Sequence, residues 1–290
     1  MRSREISMKP AAFPSDDARH PAARDAPRLR LIDGTASAGT RAVPEEVAVA
    51  LTYNGTTHAV MMASPGEIEA FALGFSLTEE IIRDPRELLS LEVLHLDDGI
   101  EARMWIAEEK IRHLSARRRA LAGPTGCGLC GVESLAEAVK PAACVTAATR
   151  FRAETILAAM RQLAPLQALN RQTRAVHAAA FYDPAAGIRA MAEDVGRHNA
   201  LDKLVGLAVR ASLSPADGMV LLTSRVSVEM VQKAAVLGTG VLAAVSAPTS
   251  LAIRTADAAG ITLCAVVRTD GFEVFTHPNR ILMPADAETS

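Results

Sequence analysis

Two cysteines stand three positions apart in the glycine-rich run Gly123-Pro124-Thr125-Gly126-Cys127-Gly128-Leu129-Cys130-Gly131. A thiolate, not a thiol, is the nucleophile and the metal ligand, and a neighbouring positive charge or a helix N-terminus favours it. Lys110, Arg112, Arg117, Arg118 and Arg119 lead into the run, and residues 132–139 (VESLAEAV) read as a helix start directly after it. The spacing of Cys127 and Cys130 fits redox chemistry, metal binding or sulfur handling. A structural zinc site needs two further thiols or imidazoles at suitable spacing, and Cys144 and Cys264 each stand alone. A thioredoxin-type pair caps a helix after an apolar strand, whereas this pair follows charge and glycine. The same letters spell G-x-G-x-x-G, but the dinucleotide fingerprint needs an apolar strand before it, and residues 118–124 are not one. Cys144, in an Ala/Val context, and Cys264, in an apolar strand, read as unreactive core thiols.

A second constellation is Glu193-Asp194-Val195-Gly196-Arg197-His198-Asn199-Ala200-Leu201-Asp202-Lys203-Leu204, polar and charged where a strand gives way to a helix. Ala200, Leu201, Leu204, Val205 and Ala208 form the apolar stripe, which leaves Arg197, His198, Asp202 and Lys203 to meet an anion at the helix N-terminus or to form a solvated helix start. Thr223-Ser224-Arg225 and Ser246-Ala247-Pro248-Thr249-Ser250 repeat the arrangement, hydroxyl residues opening a helix after an apolar strand. Three such loops side by side along the carboxyl edge of one sheet suggest a pocket for a phosphate-bearing ligand. His177, inside AVHAAAF, reads as a hydrogen-bonded core histidine, and Val266-Val267-Arg268-Thr269-Asp270-Gly271 as a surface turn.

The elements that must hold these residues follow from local pattern. Residues 1–28 show neither hydrophobic period and read as a flexible tail. In the unit over 29–108, β-branched alternation on both sides of Asn54-Gly55 predicts a hairpin. Ser64-Pro65-Gly66-Glu67 predicts a helix start capped by Ser64, and Asp97-Asp98-Gly99 joins another strand pair. Residues 109–131 form the basic and glycine-rich loop. From there to residue 290 helices (153–163, 198–211, 226–237, 250–259) alternate with strands (176–182, 187–195, 219–223, 241–246, 261–267, 272–276). This is an α/β pattern with a mainly parallel or mixed sheet flanked by helices.

Composition narrows the function classes. Of 290 residues, 49% are hydrophobic and 22% charged, with a formal charge of -2, so no global field attracts nucleic acid or an anionic membrane. Aromatics are only 3%, too few for a base-stacking platform. The charged, proline-containing N-terminus lacks the apolar run of a secretory signal, and no long apolar span occurs, so a cytoplasmic location with no membrane contact is expected.

Taken in order, several motifs resemble the formate dehydrogenase accessory sulfurtransferase (FdhD/NarQ) family. They are Gly126-Cys-Gly-Leu-Cys-Gly-Val-Glu133, the stretch from Glu193 to Leu204, Ser224-Arg-Val-Ser-Val-Glu-Met-Val-Gln-Lys233 and Phe275-Thr-His-Pro-Asn-Arg280. Tyr53-Asn-Gly, Met61-Met-Ala-Ser-Pro65 and Phe71-Ala-Leu-Gly-Phe75 are similar to it as well. The resemblance implies a cytoplasmic homodimer with a cytidine-deaminase-like fold, which follows the N-terminal α+β subdomain that the pattern over 29–108 predicts. The implied activity takes persulfide sulfur from a cysteine desulfurase and sulfurates the molybdenum (or tungsten) bis(molybdopterin guanine dinucleotide) cofactor of formate dehydrogenase. Cys127 matches the persulfide-bearing cysteine and Cys130 the cysteine that assists transfer. The segment of Val266, Val267, Arg268, Thr269, Asp270 and Gly271 matches the family's cofactor-binding segment. Arg197, His198, Ser224 and Arg225 are expected to help hold the phosphates, and no intrinsic metal is expected. Arg174 and Ala175 stand before His177 where the family's small residues, usually including glycine, are expected, so the role of His177 stays open. The zinc deaminases' H-x-E and P-C-x-x-C are absent, which argues against deamination. A cofactor-binding chaperone without catalysis and a thioredoxin-like thiol oxidoreductase remain the alternatives.

Overall fold

The computed structural model describes residues 20–112, 114 and 141–282, and these open with a two-stranded ribbon. Strands β1 (Ala23–Ile32) and β2 (Thr35–Pro44) pair antiparallel around Asp33-Gly34. Residues 23–28, expected within the tail, are thus the start of the first strand. The Asp-Gly turn takes the left-handed backbone that a two-residue hairpin needs, with φ 48° at Asp33 and 75° at Gly34.

The next hairpin forms where Asn54-Gly55 predicts it, joining β3 (Val47–Tyr53) to β4 (Thr56–Ala63). Helix α1 (Ile68–Thr78) follows, and then β5 (Leu88–Leu96) and β6 (Gly99–Ile106). The four strands make one sheet in the order β4-β3-β6-β5, with β3 and β6 parallel. The start of α1 differs from expectation. Glu67, at φ 58°, precedes the helix, no side chain caps it, and Ser64 bonds to a distant turn instead.

After the short β7 (Phe151–Arg152) come α2 (Ala153–Leu166), α3 (Ala168–Thr173), β8 (His177–Asp183) and β9 (Gly187–Asp194). The chain then alternates α4 (Arg197–Arg210), β10 (Met219–Leu222), α5 (Val228–Leu237), β11 (Val241–Ala244), α6 (Ser250–Ala259) and β12 (Thr262–Ala265). It closes with β13 (Glu273–Val274) and β14 (Ile281–Leu282). A six-stranded sheet in the order β13-β12-β11-β10-β8-β9 results, with β10, β11 and β12 parallel and the outer strands antiparallel. This is a mixed α/β fold. The strands expected over 261–267 and 272–276 are shorter, because the chain turns at Val266 and pairs only briefly on the sheet edge.

Alternation along the strands divides the core. Val220 and Leu222 of β10 face a large cluster shared with α1, α4, α5, α6 and the inner side of the four-stranded sheet, whereas Met219 and Leu221 face α2 through Ile156, Ala159 and Leu163. Helix α1 is buried on nearly every side, as its run of apolar residues requires. It crosses α4 in backbone contact. A Cβ at Gly74 would lie 1.8 Å from the Asp202 carbonyl oxygen, and one at Gly206 would lie 1.9 Å from the Ala70 carbonyl oxygen. No helix among the described residues is long and apolar enough to cross a membrane.

Candidate functional site at the sheet's carboxyl edge

Three loops leave the carboxyl ends of the parallel strands β10, β11 and β12, and backbone hydrogen bonds knit them together. Val245 N donates to Leu222 O at 2.9 Å, and Thr249 N donates to Val226 O at 2.9 Å. Val226 bridges to Pro248, and Val267 N donates to Ala244 O at 3.1 Å. The third loop carries 266–271 between β12 and β13. Arg268 N donates to Gly271 O at 2.8 Å, and the Arg268 guanidinium donates to the carbonyls of Val245 and Val267. Arg268, Thr269 and Asp270 are exposed, while Val267 is buried in the core. Val266 adopts φ 53°, a left-handed backbone that crowds a β-branched side chain.

Beside these loops β9 hands over to α4. Asp194 is fully buried, and its carboxylate takes Gly196 N at 2.8 Å, Asn199 Nδ2 at 3.0 Å and Ser64 N at 3.0 Å, with Lys203 Nζ at 2.6 Å. Lys203 Nζ also donates to Ser64 O at 2.8 Å, and Val195 N donates to Ser64 Oγ at 3.2 Å. The turn has no room for a side chain at Gly196, where a Cβ would stand 2.9 Å from Asn199 Nδ2. Lys203 was expected to face solvent or an anion and is instead sealed inside. So is Asp202, which accepts Thr78 Oγ1 at 2.6 Å and Lys233 Nζ at 2.8 Å, while Lys233 also meets Glu79 at 3.0 Å. Buried charges are tolerated only when paired in this way.

Arg197 and His198 remain at the surface turn that Asp194 holds. The Arg197 Nε is buried with no hydrogen-bond partner among the described residues. His198 Nε2 lies 3.9 Å from the Glu229 carboxylate, and this neighbour, together with Ser227, brings the Glu229 carboxyl down to about 2 against its own desolvation. His177 pairs across the strands with Asp194. Burial pushes the proton affinity of His177 down first, and Arg197, Arg225 and His198 add to that, against Asp194. Two strand-to-helix turns, at Arg197-His198 and at Arg225, thus converge on the start of β8, where two guanidinium groups near the uncharged His177 make a surface suited to an anion.

Of the expected site residues, Arg197, His198 and Arg225 come together. Ser224 lies in the same loop, but it is buried and its hydroxyl donates to Arg225 O at 3.0 Å. The segment from Val266 to Gly271 borders the next loop over. Cys127 and Cys130 lie outside the described residues. Cys144 is exposed, a correction to its reading as a core thiol, because the chain over 141–150 carries no helix or strand to cover it. Cys264 is buried, and desolvation pushes its thiol up to about 12. Among the described residues, no group of three or more His, Cys, Asp and Glu could hold a metal ion. Ser64, Asn199 and Glu229 were missed, since a hydroxyl before a helix or a Glu in its first turn carries the same local signal whether it caps or reaches another element.

The model of the FdhD/NarQ family matches residues 44–282. The sulfur carrier protein FdhD of Agrobacterium fabrum is 52% identical over 257 residues, covering 88% of this chain and 95% of the relative. The protein of the same name from Brucella abortus is 52% identical over 244 residues, covering 84% and 91%. A crystal structure from Desulfotalea psychrophila, of a protein assigned as a formate dehydrogenase accessory protein, superposes with a TM-score of 0.72 at 24% identity, covering 90% of this chain and all 100% of that one, a likeness of fold alone.

Proposed function

The chain belongs to the FdhD/NarQ family, and from that premise we propose that it is a sulfur carrier for formate dehydrogenase, working as a sulfurtransferase. It takes sulfur from a cysteine desulfurase and passes it to the molybdenum or tungsten bis(molybdopterin guanine dinucleotide) destined for the dehydrogenase. The observation that carries this reading is the Cys127-x-x-Cys130 pair inside a match that runs over most of the chain.

The Cys127 thiolate attacks the outer sulfur of the desulfurase persulfide. A new S–S bond forms at Cys127 as the donor's S–S bond breaks, and the desulfurase leaves as a thiolate. The Cys130 thiolate then attacks Sγ of Cys127, which releases the outer sulfur as hydrosulfide toward the client cofactor and leaves a Cys127–Cys130 disulfide. A dithiol reductant resets the pair, taking the disulfide back to two thiols.

The client carries phosphates and guanine, and the carboxyl edge supplies matching chemistry. Arg197, whose buried Nε has no partner among the described residues, and Arg225 form its cationic wall, with the His177 and His198 imidazoles beside them and Ser224 in the same loop. Val266, Val267, Arg268, Thr269, Asp270 and Gly271 form the neighbouring rim. The mixed sheet with helices supports a cytidine-deaminase-like arrangement, and the assembly is a cytoplasmic homodimer.

The test is to incubate the protein with an active cysteine desulfurase and L-cysteine and to map added sulfur by peptide mass spectrometry. The expected result is an increment of about 32 Da on Cys127 or Cys130, the mark of a persulfide. It is absent in Cys127→Ala/Cys130→Ala. No increment, together with full activation of formate dehydrogenase by Cys127→Ala, would replace the carrier with a cofactor chaperone that does no sulfur chemistry.

A further inference from the structure

The β1–β2 ribbon has two unlike faces. Side chains alternate along a strand, and the pairing places Arg24, Arg28, Arg30 and Arg41 together on one face and Pro27, Leu29, Leu31, Ala36 and Ala38 on the other. Leu29 and Leu31 are 65% and 70% exposed. A two-stranded ribbon with an open apolar face is marginal in water. Within one chain this ribbon is anchored near its root, where Arg41 Nη2 donates to Thr173 O of α3 at 3.0 Å.

The same chain leaves a second apolar surface open. The β4 side of the outer face of the four-stranded sheet carries Ala48, Ala50, Val60 and Met62 by register, with Val60 60% and Met62 50% exposed, and the Glu101–Arg103 ion pair and Trp105 follow on β6. The two surfaces differ in charge. Residues 23–44 hold four arginines against two aspartates, whereas the sheet segments 45–63 and 88–106 hold six carboxylates against one arginine. Asp97 and Asp98 share a concave rim with Met62 and with Arg24 at the root of the chain's own ribbon, where Arg24 pairs with Glu45.

We propose that the ribbon of one copy lays its apolar face across the outer face of the four-stranded sheet of a second copy, and that the second copy reciprocates. The inference deepens the homodimer reading above and rests on it. Its occupant follows from complementarity: Leu29 and Leu31 meet Val60 and Met62, and the excess positive charge of the ribbon segment meets the excess negative charge of the sheet segments. Two arginine faces repel one another, so the ribbons do not pair through them. The area is adequate. A strand of ten residues is about 34 Å long and two strands are about 10 Å wide, so two reciprocal contacts bury about 1,400 Å² in total, within the range of specific interfaces.

The test uses sedimentation velocity on the full chain and two variants with exposed substitutions, Leu29→Ser/Leu31→Ser in the ribbon and Val60→Lys/Met62→Lys in the sheet, each checked for an unchanged circular-dichroism melt. The wild type is expected to be a dimer, and each variant to dissociate at least about tenfold more readily. Mixing the two variants restores one intact ribbon-on-sheet contact, so the mixture associates more tightly than either variant alone. A wild-type monomer would overturn both the homodimer and the arm exchange. A wild-type dimer that both variants retain, or a mixture no tighter than its components, would overturn the arm exchange while leaving the homodimer standing.

Discussion

Lys203 Nζ lies 2.6 Å from the Asp194 carboxylate with neither group reaching solvent, and both bond to Ser64, the residue that follows β4. One ion pair thus fastens the four-stranded sheet to the turn that presents Arg197 and His198.

Removing one partner leaves the other buried and unpaired. Asp194→Ala and Lys203→Met are each expected to cost about 3–5 kcal/mol in urea unfolding. The double variant is expected to lose much less than the sum of the two, which a double-mutant cycle reads directly. Guanosine diphosphate, a fragment of the proposed client, is expected to bind more weakly to any Asp194 variant that stays folded, as titration calorimetry would show.

Glu229 gives a pH signature. Its carboxyl is held at about 2, below the ordinary value, so its stabilisation is complete above the unfolded value and is lost as pH falls toward about 2. Glu229→Gln is expected to cost about 1–2 kcal/mol near neutral pH, after allowance for its partial exposure, and almost nothing below about pH 2. Parallel urea melts of the two proteins across that range check the convergence.

Much of the fold was legible because its signals are local. Asn54-Gly55, the β-branched alternation around it and the strand-helix alternation after Arg152 each specify structure within a few residues. The buried charges were not legible. Asp202, Lys203 and Lys233 look like solvent-facing residues to any rule that assigns charge to the surface, and only tertiary packing pairs Asp202 of α4 with Lys233 of α5 and Lys203 with Asp194 at the end of β9. The ribbon did have a signal, Arg28-Leu29-Arg30-Leu31 before Asp33-Gly34, and only the start of its first strand, residues 23–28, fell in the proline- and alanine-rich sequence that reads as a tail. At the carboxyl edge, the order of strands decides which loops meet, and that order is a long-range property.

The thiols separate by accessibility. Cys144 is exposed, whereas Cys264 is sealed in β12 with its thiol pushed up to about 12. Iodoacetamide at mildly alkaline pH is expected to label Cys144 in the native protein and to reach Cys264 only after unfolding, as peptide mapping over a denaturant series would reveal.

The contact between α1 and α4 leaves no space for a methyl group. Gly206→Ala and Gly74→Ala are each expected to destabilise the protein by about 3 kcal/mol or more, because the clashing atoms are backbone rather than a movable side chain. Thermal melts would check this, and a loss within experimental error in either variant would mean that the helices can separate.

Val266 bears on how the edge loop keeps its shape. A valine does not choose a backbone at φ 53°, so the bend is imposed by bonds from Ser246, Ala244 and Arg268 rather than by the loop's own preferences. Such a loop is spring-loaded. The contacts that impose the bend are the ones that knit the three loops together, so the conformation of Val266 reports the integrity of the whole carboxyl edge.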